Sequence, residues 1–210
     1  LASCRHALNI AGKPFGLILP LLILGGCAAT PDIRPGHSDK LPRELAAERK
    51  ASYASIDEWE IRGRLGIQRG DDGFSAGFKW LQEGKTFDIK LFDPLGRQVA
   101  WLRGDDRNVS LDTSKGEKIR AQDPEKMLLD NLGWTLPIRS LLYWVRGLPD
   151  PASIVWKEEY DEKGRMLLIQ QADWNVRFAK YLTKNNKSFP KLTHLEHKDF
   201  KMKLLVQDWQ

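Results

Sequence analysis

The sequence predicts a mainly β protein with a few helices, an α+β fold in which a curved antiparallel sheet or barrel carries a helical cover. Three observations lead there. From Asp57 onward, apolar residues recur at every second position, the repeat of a strand with one buried face. The runs are short, bounded by Gly, Asn, Asp, Lys or Pro, and about ten of them follow one another in meander order, which implies a barrel or a strongly curved sheet. A single internal stretch breaks this rhythm with helical spacing. At 210 residues the chain suits one domain with a real core.

Arg5, His6 and Lys13 precede the 12-residue apolar run "FGLILPLLILGG", which ends in small residues before Cys27. A membrane-spanning helix needs about 20 apolar residues, so residues 1–26 read as a signal peptide. "LGGC" resembles the lipobox of bacterial lipoproteins, in which the Cys is lipidated on sulfur, becomes the first residue after cleavage and is acylated on its amine. Two or more acyl chains on Cys27 anchor stably where one does so marginally. Ala28 follows, where an Asp would favour inner-membrane retention under the sorting rule of enteric bacteria; the expected address is the periplasmic face of the outer membrane. Residues 27–40 are then the lipidated Cys and a tether rich in Pro, Gly and small polar residues, with a reach of roughly 40 Å. The domain proper is expected over 41–210.

Leu41, Leu45, Ala46 and Arg49 share helical spacing, giving a modest amphipathic helix over Leu41–Ile56. In "DEWEIRGRLGIQ", Trp59, Ile61, Gly63, Leu65 and Ile67 share one face and charged residues the other. "FSAGFKWLQ" turns Phe74, Ala76, Phe78 and Trp80 inward, and "TFDIKLF" does the same with Phe87, Ile89 and Leu91. Further strands are "QVAWLRG", "NVSLDT", "SIVWKEEY", "RMLLIQQ", "NVRFAKYL", "KLTHLEH" and "FKMKLLVQDW". Between them, "DPEKMLLDNLG" has Asp123 as N-cap, Pro124 at the first helical position and Gly133 past the end, with Met127, Leu128, Leu129 and Leu132 apolar. A second helix runs from about Pro137 to Val145, stopped by Gly147 and Pro149. Its Leu141, Leu142, Trp144 and Val145 are too apolar to lie free, so it is expected to act as a lid or plug over the sheet. Eight Trp are present, and Trp59, Trp80 and Trp156 fall at inward strand positions, as core or as the wall of an apolar cavity.

Several functions are argued against. Cys4 lies in the signal segment and Cys27 is consumed by lipid, so no thiol is left for a disulfide, a metal or a nucleophile. Removing residues 1–26 lowers 33 basic residues to 31 against 28 acids, a net charge of +3 spread along the chain with no nucleic-acid stripe. "GFSAG" matches a nucleophile elbow in letters, yet Ser75 falls inside an alternating strand, where the chemistry needs a strained strand-to-helix turn. His194 and His197 stand an odd number of residues apart in a strand and so face opposite ways, unable to share a metal. No catalytic residue, metal or cofactor is expected.

One turn is unusual. In "DPLG", Asp93, Pro94 and Gly96 each have a turn-forming reason, and Leu95 at the tip has none.

Together with the lipobox, the stretches "RGRLGI", "FDPLGR", "DPEKMLLDNLGW", "LPIRSLLYWVRGLP" and "MKLLVQDW" occur in an order that resembles the outer-membrane lipoprotein receptor LolB family over nearly the whole mature chain. The resemblance implies an antiparallel half-barrel of about eleven strands, LolA/LolB-like, closed by helices around an apolar cavity. It implies a monomer, not an enzyme, that takes acylated lipoproteins from the carrier LolA without ATP and inserts them into the inner leaflet of the outer membrane. It makes the Pro94-Leu95-Gly96 loop a membrane-insertion element that meets phospholipid. With apolar placement, it nominates Phe78, Trp80, Ile89, Leu128, Leu132, Leu142 and Trp144 for the cavity or lid. A different reading is a structural lipoprotein subunit of an envelope assembly, with a filled core.

The anchor is open to direct test. Cys27→Ala is expected to abolish lipidation and cleavage, leaving an unprocessed form in a mobility assay. A variant that is processed and fractionates with the outer membrane overturns the anchor.

Overall fold

The computed structural model describes residues 41–132 and 136–210. The signal segment and tether expected over residues 1–40, Cys27 included, and the helix stop at Gly133 lie outside these residues. Helix α1 (Pro42–Ala54) leads into strands β1 (Glu58–Arg69), β2 (Asp72–Glu83), β3 (Thr86–Phe92), β4 (Gln98–Gly104), β5 (Val109–Thr113) and β6 (Lys118–Ala121). Helices α2 (Pro124–Leu132) and α3 (Ile138–Trp144) follow, then β7 (Val155–Tyr160), β8 (Met166–Gln171), β9 (Trp174–Lys184), β10 (Lys187–His197) and β11 (Phe200–Trp209).

The strands form one antiparallel sheet in the order β6-β5-β4-β3-β2-β1-β11-β10-β9-β8-β7. Neighbours are consecutive in sequence except where β1 pairs with β11, joining two meanders into a half-barrel that does not close. The sheet therefore ends at β6 on one side and β7 on the other, and those two strands are joined by α2 and α3. The chain must cross from edge to edge, and the apolar residues of the two helices place that crossing on the inner face.

Alternation along β1 is as the sequence implies, with Trp59, Ile61, Gly63, Leu65 and Ile67 buried. Gly63 has a steric reason. A Cβ there would meet the Leu205 carbonyl oxygen at 2.0 Å and Phe78 Cε1 at 3.0 Å, at the register shift between β1 and β11.

Two readings need correction. "KIRA", β6, is an eleventh strand beyond the ten found by alternation; four residues with Lys118 and Arg120 exposed are too short and too charged to announce a buried face. Trp156 does not point into the core and is 72% exposed. It sits on edge strand β7 where Val155 pairs with Gln171 and Lys157 with Gln170, so the Trp is the extra residue of a bulge that breaks the alternation.

The edge-to-edge crossing is pinned by polar groups that composition does not reveal. Trp144, fully buried, donates its indole N–H to Gln171 Oε1 at 3.1 Å, and the Asp150 amide donates to the same oxygen at 2.9 Å. Gln171 Nε2 donates to the carbonyls of Asp150 and Ser153, at 2.5 and 2.9 Å. Ser140 donates its hydroxyl to Asp150 Oδ2 at 2.7 Å. The buried Arg146 donates to the carbonyls of Leu142, Tyr53 and Ile56, so one guanidinium ties α3 to the end of α1. Gly147, at φ +74, then turns the chain away.

Helix α1 is fastened by aromatics as well. Rings run in contact from Trp80 to Trp59, Trp209, Phe189 and Tyr53, with centroid separations of 5.1, 5.3, 4.0 and 5.2 Å. The Tyr53 hydroxyl accepts from the Ser188 amide at 2.7 Å.

Gln171→Leu keeps the volume roughly and strands four polar groups, the N–H donors of Trp144 and Asp150 and the carbonyls of Asp150 and Ser153. A loss of about 4 kcal/mol or more is expected in denaturant unfolding, at about 1 to 3 kcal/mol per orphaned group. A loss below about 1 kcal/mol would mean that the crossing is held otherwise.

Candidate functional site

Between the inner face of the sheet and the two crossing helices lies an apolar cavity of ≈ 380 Å³. Leu65 and Ile67 of β1, Phe78 and Trp80 of β2, and Ile89 and Leu91 of β3 form one side. Leu102 of β4, Leu111 of β5 and Met202 and Leu204 of β11 extend it. Leu128 of α2 and Ile138 and Leu141 of α3 form the roof. Among the described residues, Thr113 is the only lining residue of hydroxyl, amide or charged type. Trp80 donates its N–H to Gln82 Oε1 at 3.2 Å, so its polar edge is satisfied within the protein. Phe74 lines the cavity yet is 44% exposed, marking where it opens to solvent. The size is that of a small-molecule site, and among the described residues the lining offers no carboxylate, His, Cys or Lys: its walls suit hydrocarbon.

The residues nominated from sequence divide. Phe78, Trp80, Ile89 and Leu128 come together in the cavity wall. Leu142 does not; it borders a second hollow of ≈ 760 Å³ whose walls include Asp57, Lys85, Asp105, Arg139 and Arg146 and suit water better than an acyl chain. Trp144 does not line the cavity either. It is locked in solid core against Trp174, with ring centroids 6.0 Å apart, and bonded to Gln171. The Leu132 side chain lies outside what is described. The lining from β1, β4, β5 and β11 was missed as a site, since inward apolar alternation marks a cavity wall and a packed core alike.

Leu95 stands alone at a rigid tip. It is 79% exposed. Asp93 organises the turn: its carbonyl accepts from Gly96 N, and its Oδ1 accepts from the amides of Leu95 and Arg97, each at 2.9 Å. Gly96 takes φ +82, and Arg97 Nε donates to Asp93 Oδ2 at 2.7 Å. The Arg97 amide first, then its guanidinium and the Leu95 amide, hold the Asp93 carboxyl below the usual carboxylate range. With the amides of Leu95, Gly96 and Arg97 all held by Asp93, the turn is closed locally and the Leu side chain is presented outward.

Ser75 lies within β2, away from any strand-to-helix turn. His197 stacks on the buried Trp174 at 5.1 Å, while His194 pairs in register with Lys203 on the opposite face. Among the described residues, no group of three or more His, Cys, Asp or Glu is arranged to hold a metal.

Comparison with known proteins gives a family. The profile of the family described as Outer membrane lipoprotein LolB matches residues 57–209. The outer-membrane lipoprotein LolB of Pseudomonas putida is 36% identical over 192 residues, covering 90% of this chain and 92% of that protein. That of Nitrosococcus oceani is 31% identical over 194 residues, covering 92% and 95%. Among solved structures, a LolA superfamily protein from Nitrosomonas europaea has the same fold, with a TM-score of 0.50 at 7% identity, covering 81% of this chain and 93% of that one.

Core and cavity respond differently to substitution. Trp144→Ala is expected to cost about 3 to 5 kcal/mol in unfolding and to leave the affinity for a fluorescent apolar probe unchanged in the folded fraction. Ala100→Phe, filling the cavity from β4, is expected to displace the probe with little change in melting. Equal probe binding by Ala100→Phe and the parent protein would place the probe elsewhere.

Proposed function

Because this chain belongs to the Outer membrane lipoprotein LolB family, we propose that it receives acylated lipoproteins from the carrier LolA and inserts them into the inner leaflet of the outer membrane. The observation that carries this reading is the cavity, which offers apolar wall from six strands and two helices and opens beside Phe74. A structural subunit with a filled core has no use for that space.

In this reading no covalent bond is made or broken. Cargo moves because acyl chains gain apolar contact at each step, at roughly 25 cal/mol per Å² removed from water, so the receptor needs to hold them more tightly than the carrier and less tightly than the membrane. Residues 1–26 direct secretion, Cys27 carries the lipid anchor, and residues 28–40 let the domain reach its carrier while tethered to the membrane. Leu95 supplies the contact with lipid. Its burial in the bilayer is worth roughly 1.5 to 3 kcal/mol, enough to bias release and too little to anchor the domain.

The test is transfer of a labelled lipoprotein from purified LolA to this protein and on to liposomes. Leu95→Glu is expected to melt like the parent, accept cargo from LolA and fail to insert it, since a carboxylate is excluded from hydrocarbon and harmless on a solvated tip. Normal insertion by the folded variant overturns the role of the loop, and failure of the parent protein to take cargo from LolA overturns the function.

A further inference from the structure

We propose that the outer face of the sheet beside the Leu95 turn binds the phosphate headgroups of anionic phospholipid, so that the membrane is met by a cationic surface as well as by the apolar tip. This rests on the reading of Leu95 as the lipid contact.

The face is assembled by strand register. Arg62 of β1 stands opposite Lys79 of β2, and Lys79 opposite Lys90 of β3. Arg64 follows on the same face of β1. Lys203 of β11 stands opposite Gly66, diagonal to Arg64. Like charges directly opposite one another in a sheet repel, so a fold under no other demand would alternate their sign.

The nearby carboxylates do not cancel the row. Glu60 bridges Arg62 and Lys79 at 2.7 and 2.8 Å, and these cations, Lys79 foremost, hold its carboxyl below the ordinary range. Asp208 stands opposite Arg62 and accepts from Gln210. Asp88, beside Lys90, accepts from the Trp101 indole; Asp93, in the wall of the adjoining turn, is held by Arg97, and further across Asp112 accepts from Arg103. Among the described residues Arg64 and Lys203 have neither an ion-pair nor a hydrogen-bond partner for their side chains, and both are exposed. Leaving aside the ion pairs of Asp93 and Asp112, five cations share the patch with three carboxylates, Glu60, Asp88 and Asp208.

Shape and position make the patch a site for headgroups. A hollow of ≈ 540 Å³ is lined by Arg62, Arg64 and Lys79 on one side and by Phe92, Asp93, Pro94 and Gly96 on the other, with the Asp93 carboxylate taken up by Arg97. Gly77, outward-facing without a side chain, keeps its floor open. The hollow is continuous with the turn that carries Leu95, so a bilayer that takes up the Leu side chain brings its phosphate layer onto the guanidinium groups. Trp101 flanks the patch, with Lys90 Nζ 4.9 Å and the Arg103 guanidinium carbon 3.6 Å from its ring centroid, an amphipathic ring suited to a headgroup zone.

The test uses the intact lipidated protein in proteoliposomes of phosphatidylcholine, with or without phosphatidylglycerol, and follows insertion of a labelled lipoprotein delivered by LolA. The parent is expected to insert faster with the anionic lipid. Arg64→Gln with Lys203→Gln, which breaks no ion pair, is expected to lose about tenfold or more of that enhancement, keeping cargo uptake and the rate on neutral vesicles. The charge-preserving pair Arg64→Lys with Lys203→Arg keeps the enhancement. Leu95→Glu fails on both vesicle types, which separates a fault in the loop from a fault in the patch. An undiminished response to phosphatidylglycerol in the double Gln variant overturns the proposal, and so does slower uptake from LolA with the lipid response intact, which would make the face a protein-docking surface.

Discussion

Every feature of this molecule depends on one topological obligation: the chain leaving β6 has to reach β7, and those strands lie at opposite edges of an eleven-stranded sheet. A connection of that span crosses a face of the sheet, and the apolar side chains of α2 and α3 choose the inner one. A crossing segment without ladder hydrogen bonds needs other fastenings. Gln171 supplies one, accepting from Trp144 and Asp150 and donating to two carbonyls; Arg146 supplies the other, gathering the carbonyls of Leu142 in α3, Tyr53 in α1 and Ile56 just past α1. Buried amides and guanidinium groups are costly unless saturated, and saturation is what makes them specific.

The fastenings are unequally placed, and the interior follows them. Trp144 and Trp174 pack with Phe200 against strands β8 to β11, and the chain of rings from Trp80 to Tyr53 fills the zone near α1. Over β2 to β5 the helices offer Leu128, Ile138 and Leu141, and these stand off from the sheet far enough to leave space. One half of the inner face is solid and rigid, the other hollow. A hydrocarbon guest would meet walls held in shape by the packed half, so little reorganisation would oppose its binding.

Much of this was legible in the residues. Period-two alternation found ten of the strands, and Asp123 and Pro124 marked the start of α2, where Asp123 Oδ1 accepts from the amides of Glu125 and Lys126. The exposed Leu95 was legible because the turn residues around it left the Leu without a local purpose. What stayed hidden depends on partners distant in sequence. The Gln171 amide and the "RGLP" Arg are ordinary polar letters until the fold brings them donors and acceptors. Trp156 misled because a bulge shifts the inside-outside count by one, and nothing in "SIVWKEEY" announces a bulge. Leu142 and Trp144 were nominated for the cavity or its lid together, since apolarity on a helix says that a face is covered, not by what.

The unclosed sheet also carries a hazard. Its two outer strands present backbone donors and acceptors that a second copy could pair with, and a protein gathered on a membrane surface meets its copies often. Both outer strands are blunted. β6 is four residues long and carries Lys118 and Arg120 outward, while β7 is broken by the bulge at Trp156 and carries the exposed Lys157 next to it. A short charged rim and a kinked rim are the two standard obstacles to edge-on polymerisation. The irregularity that spoiled the alternation of β7 is thus the feature that keeps a half-open barrel from becoming the first unit of a fibre.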